Sequence, residues 1–228
     1  MRGMKRFLRD HPLTRRAYIP LAYAWNRLKI FLYQKLFGRY YTSKHFDHLF
    51  AARPDPWGFR GDAIAQERRG LIIELLSRRR FSRLLEIGCA EGWMTPMLAD
   101  LADELVSVDL SEVALERARG ECRNVRNVTF QQLDLVVNPL PAGLFDCIVC
   151  AGVLVFLPVD VQQIVCRKLI ASLRYGGDLL LEHVREPYPG EVPGRVVHSL
   201  YRGNPQLRET HNQEVDNYAI TVFRKVDQ

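Results

Sequence analysis

A chain of 228 residues suits one α/β domain with an extension and is long enough to bury a sizeable core. At 47% hydrophobic and 25% charged, its composition is that of an ordinary soluble globular protein rather than a fibrous or low-complexity one. The net charge of +6 is unevenly placed: residues 1–50 hold 11 Lys/Arg against 2 Asp/Glu, and the remainder 21 against 24. The positive charge therefore belongs to an appendage, not to a cleft, which disfavours a nucleic-acid substrate. Cysteines 89, 122, 147, 150 and 166 are odd in number and show no paired CxxC or Cys/His ligand spacing. Cys147 and Cys150 lie in an apolar run and read as buried thiols. A reducing, cytoplasmic setting and no bound metal are expected.

In chain order, residues 1–16 are basic, with Pro12 interrupting any long helix. From Leu21 to Phe37 the apolar residues recur at helical spacing, and Gly38 comes next as a stop. Arg27, Lys29 and Lys35 break that run, so it is not a continuous apolar span of about 20 residues. Ala22-Tyr23-Ala24 has the small-x-small form of a signal cleavage site, but the apolar stretch before it is short and contains Pro20, so no secretory signal is read. Two roles stay open for this extension (residues 1–52): packing on the main domain or a second subunit, or lying on an anionic membrane surface. The loop Arg53-Pro54-Asp55-Pro56-Trp57-Gly58-Phe59 opens the main domain, residues 53–228, and a helix is expected over 62–79 with Ala63, Ile64, Ile72, Leu75 and Leu76 facing inward.

The stretch Leu84–Thr95 organises the main domain. An apolar run carrying Glu86 ends in Gly88-Cys89-Ala90-Glu91-Gly92, and a helical pattern succeeds it over 94–101. Strand, tight turn and helix in that order make a nucleotide pocket at a strand's carboxyl end. Gly88 permits the turn, Ala90 keeps bulk away from a ligand, and Gly92 permits close packing. A dinucleotide would need a small residue where Trp93 stands, and its pyrophosphate would meet Glu86. S-adenosylmethionine is a sulfonium with an ammonium group, and a carboxylate attracts it.

A second strand, 104–108, ends at Asp109, which lies 21 residues beyond Gly88 and can accept both ribose hydroxyls. Ser111 caps the next helix, with Glu112 in its first turn. A third strand, 128–133, ends at Asp134. Phe145–Cys150 reads as a buried central strand of a parallel sheet. Residues 161–173 are helical by period, 175–178 read as a stop and turn, and 179–184 as the fifth strand. The chain is then rich in Pro and Gly up to Gly194, and 206–211 with 218–224 suit an antiparallel pair.

The form E-x-G-x-A-x-G at Glu86–Gly92, with Ala90 in place of the middle glycine, resembles motif I of the class I S-adenosylmethionine-dependent methyltransferases. With Asp55-Pro56-Trp57-Gly58, Glu67 and the Phe145-Asp146 strand, it resembles their nodulation-protein-S-like branch, which acts on sugars and other small molecules. The resemblance implies a Rossmann-like α/β fold, with a seven-stranded, mostly parallel sheet, helices on both faces and a helical N-terminal extension. It implies a cofactor site of Glu86, Gly88, Cys89, Ala90, Gly92, Asp109, Leu110, Leu133, Asp134, Leu135 and Cys150, with Leu133 and Leu135 as adenine walls. Trp57 would cap it, or simply anchor its loop on the core. The apolar run Ala151–Leu157 departs from the polar pattern of relatives and leaves the substrate type open. The expected activity is methyl transfer to N or O of a small molecule. A methyltransferase acting on RNA or protein, or a membrane-associated module that binds the cofactor without catalysis, are the alternatives. His183 and His198 are the candidate bases, each also readable as a hydrogen-bonded structural residue.

Overall fold

The computed structural model describes residues 41–186 and 191–227, so the extension's helix over 21–37 lies outside the described residues. Residues 41–186 and 192–228 form one compact unit. It contains helices α1 (Ser43–Ala52), α2 (Ala63–Leu76), α3 (Thr95–Ala99), α4 (Glu112–Glu121), α5 (Val159–Ser172) and α6 (Gly194–Arg202). The strands are β1 (Phe81–Ile87), β2 (Ala102–Asp109), β3 (Val128–Gln132), β4 (Phe145–Ala151), β5 (Leu173–Val184), β6 (Leu207–Val215) and β7 (Tyr218–Lys225). A single 3₁₀ turn, Leu154–Phe156, comes after β4.

All seven strands join one sheet in the order β3-β2-β1-β4-β5-β7-β6. Every pair among the first five is parallel, and β7 runs antiparallel to both β5 and β6. The order reverses between β1 and β4, and an open α/β sheet binds its ligands at such a switch point. Strand alternation divides the core. Leu85, Ile87, Val106, Ile148, Cys150 and Leu181 face α5 and α6, while Leu84, Leu105, Cys147, Val149 and Leu180 face α2 and α3. Side-chain caps fix the helix starts: Asp62 accepts from Ile64 and Ala65 N–H, and Ser111 from Ala114 N–H.

Several expectations need correction. The compact unit opens at Tyr41 rather than 53, because α1 packs on α4. Helix α3 spans five residues only. Residues 175–178, read as a turn, lie inside β5, where a register shift opposite Phe145 and Cys147 absorbs Gly176 at φ 72°. Helix α6 was not anticipated, since Pro193 and Gly194 mask a helix that starts at them. On α2, Ala63 is exposed and Arg68 is buried.

Candidate active site

At the end of β1 the chain reverses through two glycines in the left-handed region, Gly88 at φ 76° and Gly92 at φ 82°. Both positions also demand the absence of a Cβ. One on Gly88 would run into Val153 Cγ2, and one on Gly92 would press on Ala118 of α4 at 3.1 Å. Gly92 thus admits α4, the helix after β2. Ala90 sits between them at φ 48° despite its own Cβ. Its N–H donates to Asp109 Oδ2 at 2.9 Å, which holds the turn against the end of β2. Cys89 lies buried under the turn.

Three carboxylates converge here. Glu86 is 2% exposed. It lies beneath the turn, on the face of β1 that carries Leu84. Its Oε2 accepts from Thr95 Oγ at 2.7 Å and Ser107 Oγ at 2.8 Å. Burial pushes its carboxyl up to about 7, against the pull of those two hydroxyls. Asp109 Oδ1 accepts from Ser111 N–H at 2.9 Å. Burial raises its pKa too, and the backbone donors oppose the rise. Each carboxylate oxygen has two lone pairs, so Asp109 keeps acceptor capacity toward a pair of hydroxyls. The third carboxylate, Asp47, comes from α1 and was not foreseen. It accepts from Ser111 Oγ at 2.6 Å and Val113 N–H at 3.3 Å, and so caps α4 beside Asp109. Its partners lie 64 and 66 residues away, and nothing in the local sequence announces them.

Beyond β3, Asp134 Oδ1 accepts from Val136 N–H at 2.9 Å and Val137 N–H at 3.4 Å, so this side chain caps its own turn. Lys168 Nζ holds the same turn through the carbonyls of Leu135, Val136 and Asn138, at 3.2, 2.8 and 3.0 Å. Leu133 and Leu135, expected as adenine walls, are buried in the core beneath α5, as is Cys150, whose side chain faces α6 and not the turn. Leu110 is half-buried, and its carbonyl accepts from Gln132 Nε2 at 3.1 Å.

The 53–59 loop is stapled to the glycine turn by Glu91, another residue the sequence reading missed. Its Oε2 accepts from Asp55 N–H at 2.9 Å while Oε1 pairs with Arg117 at 2.5 Å. Trp57 stacks on Phe59 (centroids 5.9 Å, planes 15° apart) and meets Phe50 edge-on at 5.4 Å. Phe156, at the end of the 3₁₀ turn after β4, touches Tyr41 at 5.0 Å, Phe46 at 5.5 Å and Trp57 at 6.5 Å. The segment from Tyr41 through the 53–59 loop and the connector after β4 therefore meet through aromatic rings. Trp57, 36% exposed, is anchored on them and still presents part of its ring outward.

Neither candidate base reaches the surface. His183 and His198 are 0% and 1% exposed, and both nitrogens of each ring are hydrogen-bonded inside the protein. Burial pushes both pKa values down, that of His198 to about 4. On the opposite face of β5, Glu182 forms a buried ion pair with Arg68, whose guanidinium lies 3.5 Å from the centre of the Tyr218 ring.

Residues 84–177 match the model of a family described as "Methyltransferase domain". The chain is 33% identical over 139 residues to nodulation protein S of Sinorhizobium fredii (strain NBRC 101917 / NGR234), covering 60% of this chain and 63% of that protein. It is 32% identical over 145 residues to protein-L-isoaspartate O-methyltransferase 1 of Marinobacter nauticus, covering 63% and 59%. The chain thus spans less than two thirds of the curated relatives it matches. Among solved structures, N-methyltransferase NodS from Bradyrhizobium japonicum WM9 in complex with S-adenosyl-L-homocysteine superposes with a TM-score of 0.72. It is 25% identical, and the match covers 81% of this chain and 98% of that one.

Proposed function

We propose that this chain, which belongs to the class I S-adenosylmethionine-dependent methyltransferase family, moves a methyl group from that cofactor to a nitrogen of a small molecule. The observation that carries the cofactor reading is the charge at the turn. Glu86, Asp109 and Asp47 take their hydrogen bonds from neutral hydroxyls and backbone N–H groups, with no Lys or Arg among those donors. Asp109 and Asp47 thus place negative charge where a cation would sit and a pyrophosphate would be repelled, while Glu86, pushed up to about 7 by burial, adds to it only in part near neutral pH. Helix α3 begins at Thr95, seven residues past Gly88, so it offers no N-terminus at the turn to a phosphate.

When bound, the cofactor supplies a methyl group already activated by its sulfonium. The chain's own residues bind and orient. Asp109 accepts hydroxyls at the ribose position, Ala90 presents backbone there, and Val153 to Phe156 with Trp57 form an apolar wall that excludes water. An acceptor then needs only to be held about 3 Å from the methyl, along its bond axis. With both imidazoles internally engaged, an acceptor that is nucleophilic without a protein base is favoured. A free amine meets that condition, in keeping with a neighbour described as an N-methyltransferase. A carboxylate oxygen also meets it, and the Marinobacter relative, named as an O-methyltransferase, keeps that second reading in view.

Calorimetric titration with S-adenosylmethionine and S-adenosylhomocysteine, on wild type and Asp109→Asn, tests the cofactor. Micromolar binding that the substitution weakens at least tenfold supports the reading, and a folded wild type that binds neither ligand ends it. For residues 1–50 the proposal is peripheral contact with an anionic membrane from the cytoplasmic side, or self-association. Sedimentation with vesicles containing anionic lipid, against neutral vesicles, separates the two.

A further inference from the structure

The connector after β4 is held by side chains from distant elements. Leu154 N–H donates to His183 Nε2 at 3.2 Å. Gln162 of α5 donates through Nε2 to the carbonyls of Leu154 and Leu157, at 3.0 and 2.8 Å. Val192 N–H closes on Val155 O at 2.8 Å, and Gly152 N–H on Glu182 O at 2.7 Å. Behind His183 the chain of bonds continues. Its Nδ1 lies 3.0 Å from His198 Nε2, and His198 Nδ1 lies 2.8 Å from Thr221 Oγ. Thr221 Oγ donates to Asn212 Oδ1 at 3.0 Å, which also accepts from Arg202 at 3.2 Å. Arg202 in turn pairs with Glu209 at the surface.

The ends of this chain set the proton positions. A backbone N–H can only donate, so His183 Nε2 must carry a lone pair and its proton sits on Nδ1. That proton obliges His198 Nε2 to accept, which puts the His198 proton on Nδ1, directed at Thr221. Arg202 likewise can only donate, so the amide oxygen of Asn212 closes the far end. Both rings are neutral, each in one tautomer, with every link pointing from Leu154 toward β6. A second proton on either ring would set donor against donor.

We infer that His183 and His198 are positioning residues, a two-imidazole relay that fixes the Gly152–Phe156 connector and thereby the acceptor-side wall of the cleft. The connector carries Val153, whose Cγ2 occupies the space a Cβ on Gly88 would need, and Phe156, which meets Tyr41, Phe46 and Trp57. Displacing Leu154 would shift both contacts together. This inference rests on the methyltransferase reading for the meaning of the cleft, but not for the relay itself.

The test uses the full chain and needs no acceptor. ¹⁵N-detected histidine spectra at pH 7 are expected to show Nδ1–H tautomers at both positions. Amide exchange at Leu154 is expected to run at least about 100-fold faster in His183→Leu than in wild type. His183→Gln, whose Oε1 can stand in for Nε2, restores most of the protection. Protection at Val149 and Leu181 should stay in place in all variants. With S-adenosylhomocysteine as probe, affinity falls about tenfold in His183→Leu and within about threefold in His183→Gln. Should His183→Leu fail to fold, Thr221→Val decides instead. It removes the acceptor of the His198 Nδ1–H, so that ring proton should exchange faster while His183 keeps its Nδ1–H tautomer. An Nε2–H tautomer at wild-type His183, a ring titrating near its ordinary value of about 6.5, or unchanged Leu154 exchange would overturn the relay. Wild type that fails to bind the probe while the tautomers stand as stated would overturn the functional reading and leave the relay.

Discussion

The two walls of the proposed site, one for the cofactor and one for the acceptor, are assembled on different length scales. On the cofactor side, the bonds that set the geometry join Glu86 to Thr95 and Ser107, and Asp109 to Ala90 and Ser111. All of these residues lie in one β1-α3-β2 unit and its exit. On the acceptor side, the Leu154–Phe156 turn is held by α5, β5 and the chain entering α6, and the relay behind it recruits α6, β7 and β6. One wall is a property of a single supersecondary unit. The other exists only once the C-terminal third has folded onto β5. Substitutions on the first wall should therefore act on cofactor affinity and local strain, and those on the second through global stability and placement.

The largest effect is expected at Arg68, on the face of β5 opposite the relay. Removing one partner of a buried ion pair leaves an uncompensated charge and costs about 3–5 kcal/mol. Arg68→Ala should lose that much in urea denaturation at neutral pH. Burial already raises the Glu182 pKa and Arg68 lowers it. Without Arg68 the carboxyl binds a proton more readily in the folded state, so the deficit should shrink as pH falls toward the ordinary carboxylate range. Arg68→Met with Glu182→Leu should recover most of the loss. A single variant as stable as wild type at pH 8 would show that this ion pair is not holding α2 to β5.

Glu86 gives a comparable effect with the opposite geometry, inside the local unit. Its carboxyl titrates at about 7 when folded, against an ordinary value of 4.5. Below 4.5 both states are protonated and no differential remains. Between the two values the unfolded chain releases its proton while the folded one keeps it, so stability falls as pH rises, by about 3 kcal/mol in all. Glu86→Gln should flatten the stability–pH curve across that window. An unchanged slope would place the titration elsewhere.

This contrast also explains what could be read from the sequence. Gly88, Gly92, Asp109 and Ser111 were legible because a positive φ, a close approach or a cap demands a residue type at a spacing fixed by one β-α-β unit. The strands were legible as apolar runs. Leu133 and Leu135 lie in the core, and from sequence an apolar residue past a strand end looks the same whether it walls a ligand or fills the core. Arg68 was missed because its partner is 114 residues away, and Asp47 because its helix reads as part of a basic extension. His183 and His198 were read as candidate bases, and the structure buries both with every ring nitrogen hydrogen-bonded inside the protein. Their role depends on which donor faces each nitrogen, and periodicity carries no such information.

Asp47 gives an intermediate test of where the local unit ends. It lies outside the β1–β2 unit yet caps α4 through Ser111 and Val113. Asp47→Ala should cost about 0.5–2 kcal/mol, the range for losing a capping side chain. Because the lost charge also repels Asp109, affinity for S-adenosylhomocysteine should change by less than Asp109→Asn changes it. An equal loss from both variants would make α1 part of the cofactor wall itself.

The smallest effect tests the strain in that wall. Ala90 holds φ 48°, a region that costs an L-residue roughly 1–2 kcal/mol and glycine almost nothing. Against that relief stands the greater freedom of glycine in the unfolded chain, which takes back about 0.5–1 kcal/mol. Ala90→Gly should therefore be neutral to about 1.5 kcal/mol stabilising, measured by urea denaturation. Its N–H bond to Asp109 needs no side chain, so cofactor affinity should hold within about threefold. Asp216 provides the control. It sits at φ 49° between β6 and β7, far from the turn in sequence. Asp216→Gly should show the same backbone relief with no change in cofactor binding. If Ala90→Gly instead weakens binding tenfold while Asp216→Gly does not, the Ala90 methyl group is itself a contact, and the departure from the glycine pattern at this position serves the ligand and not the turn.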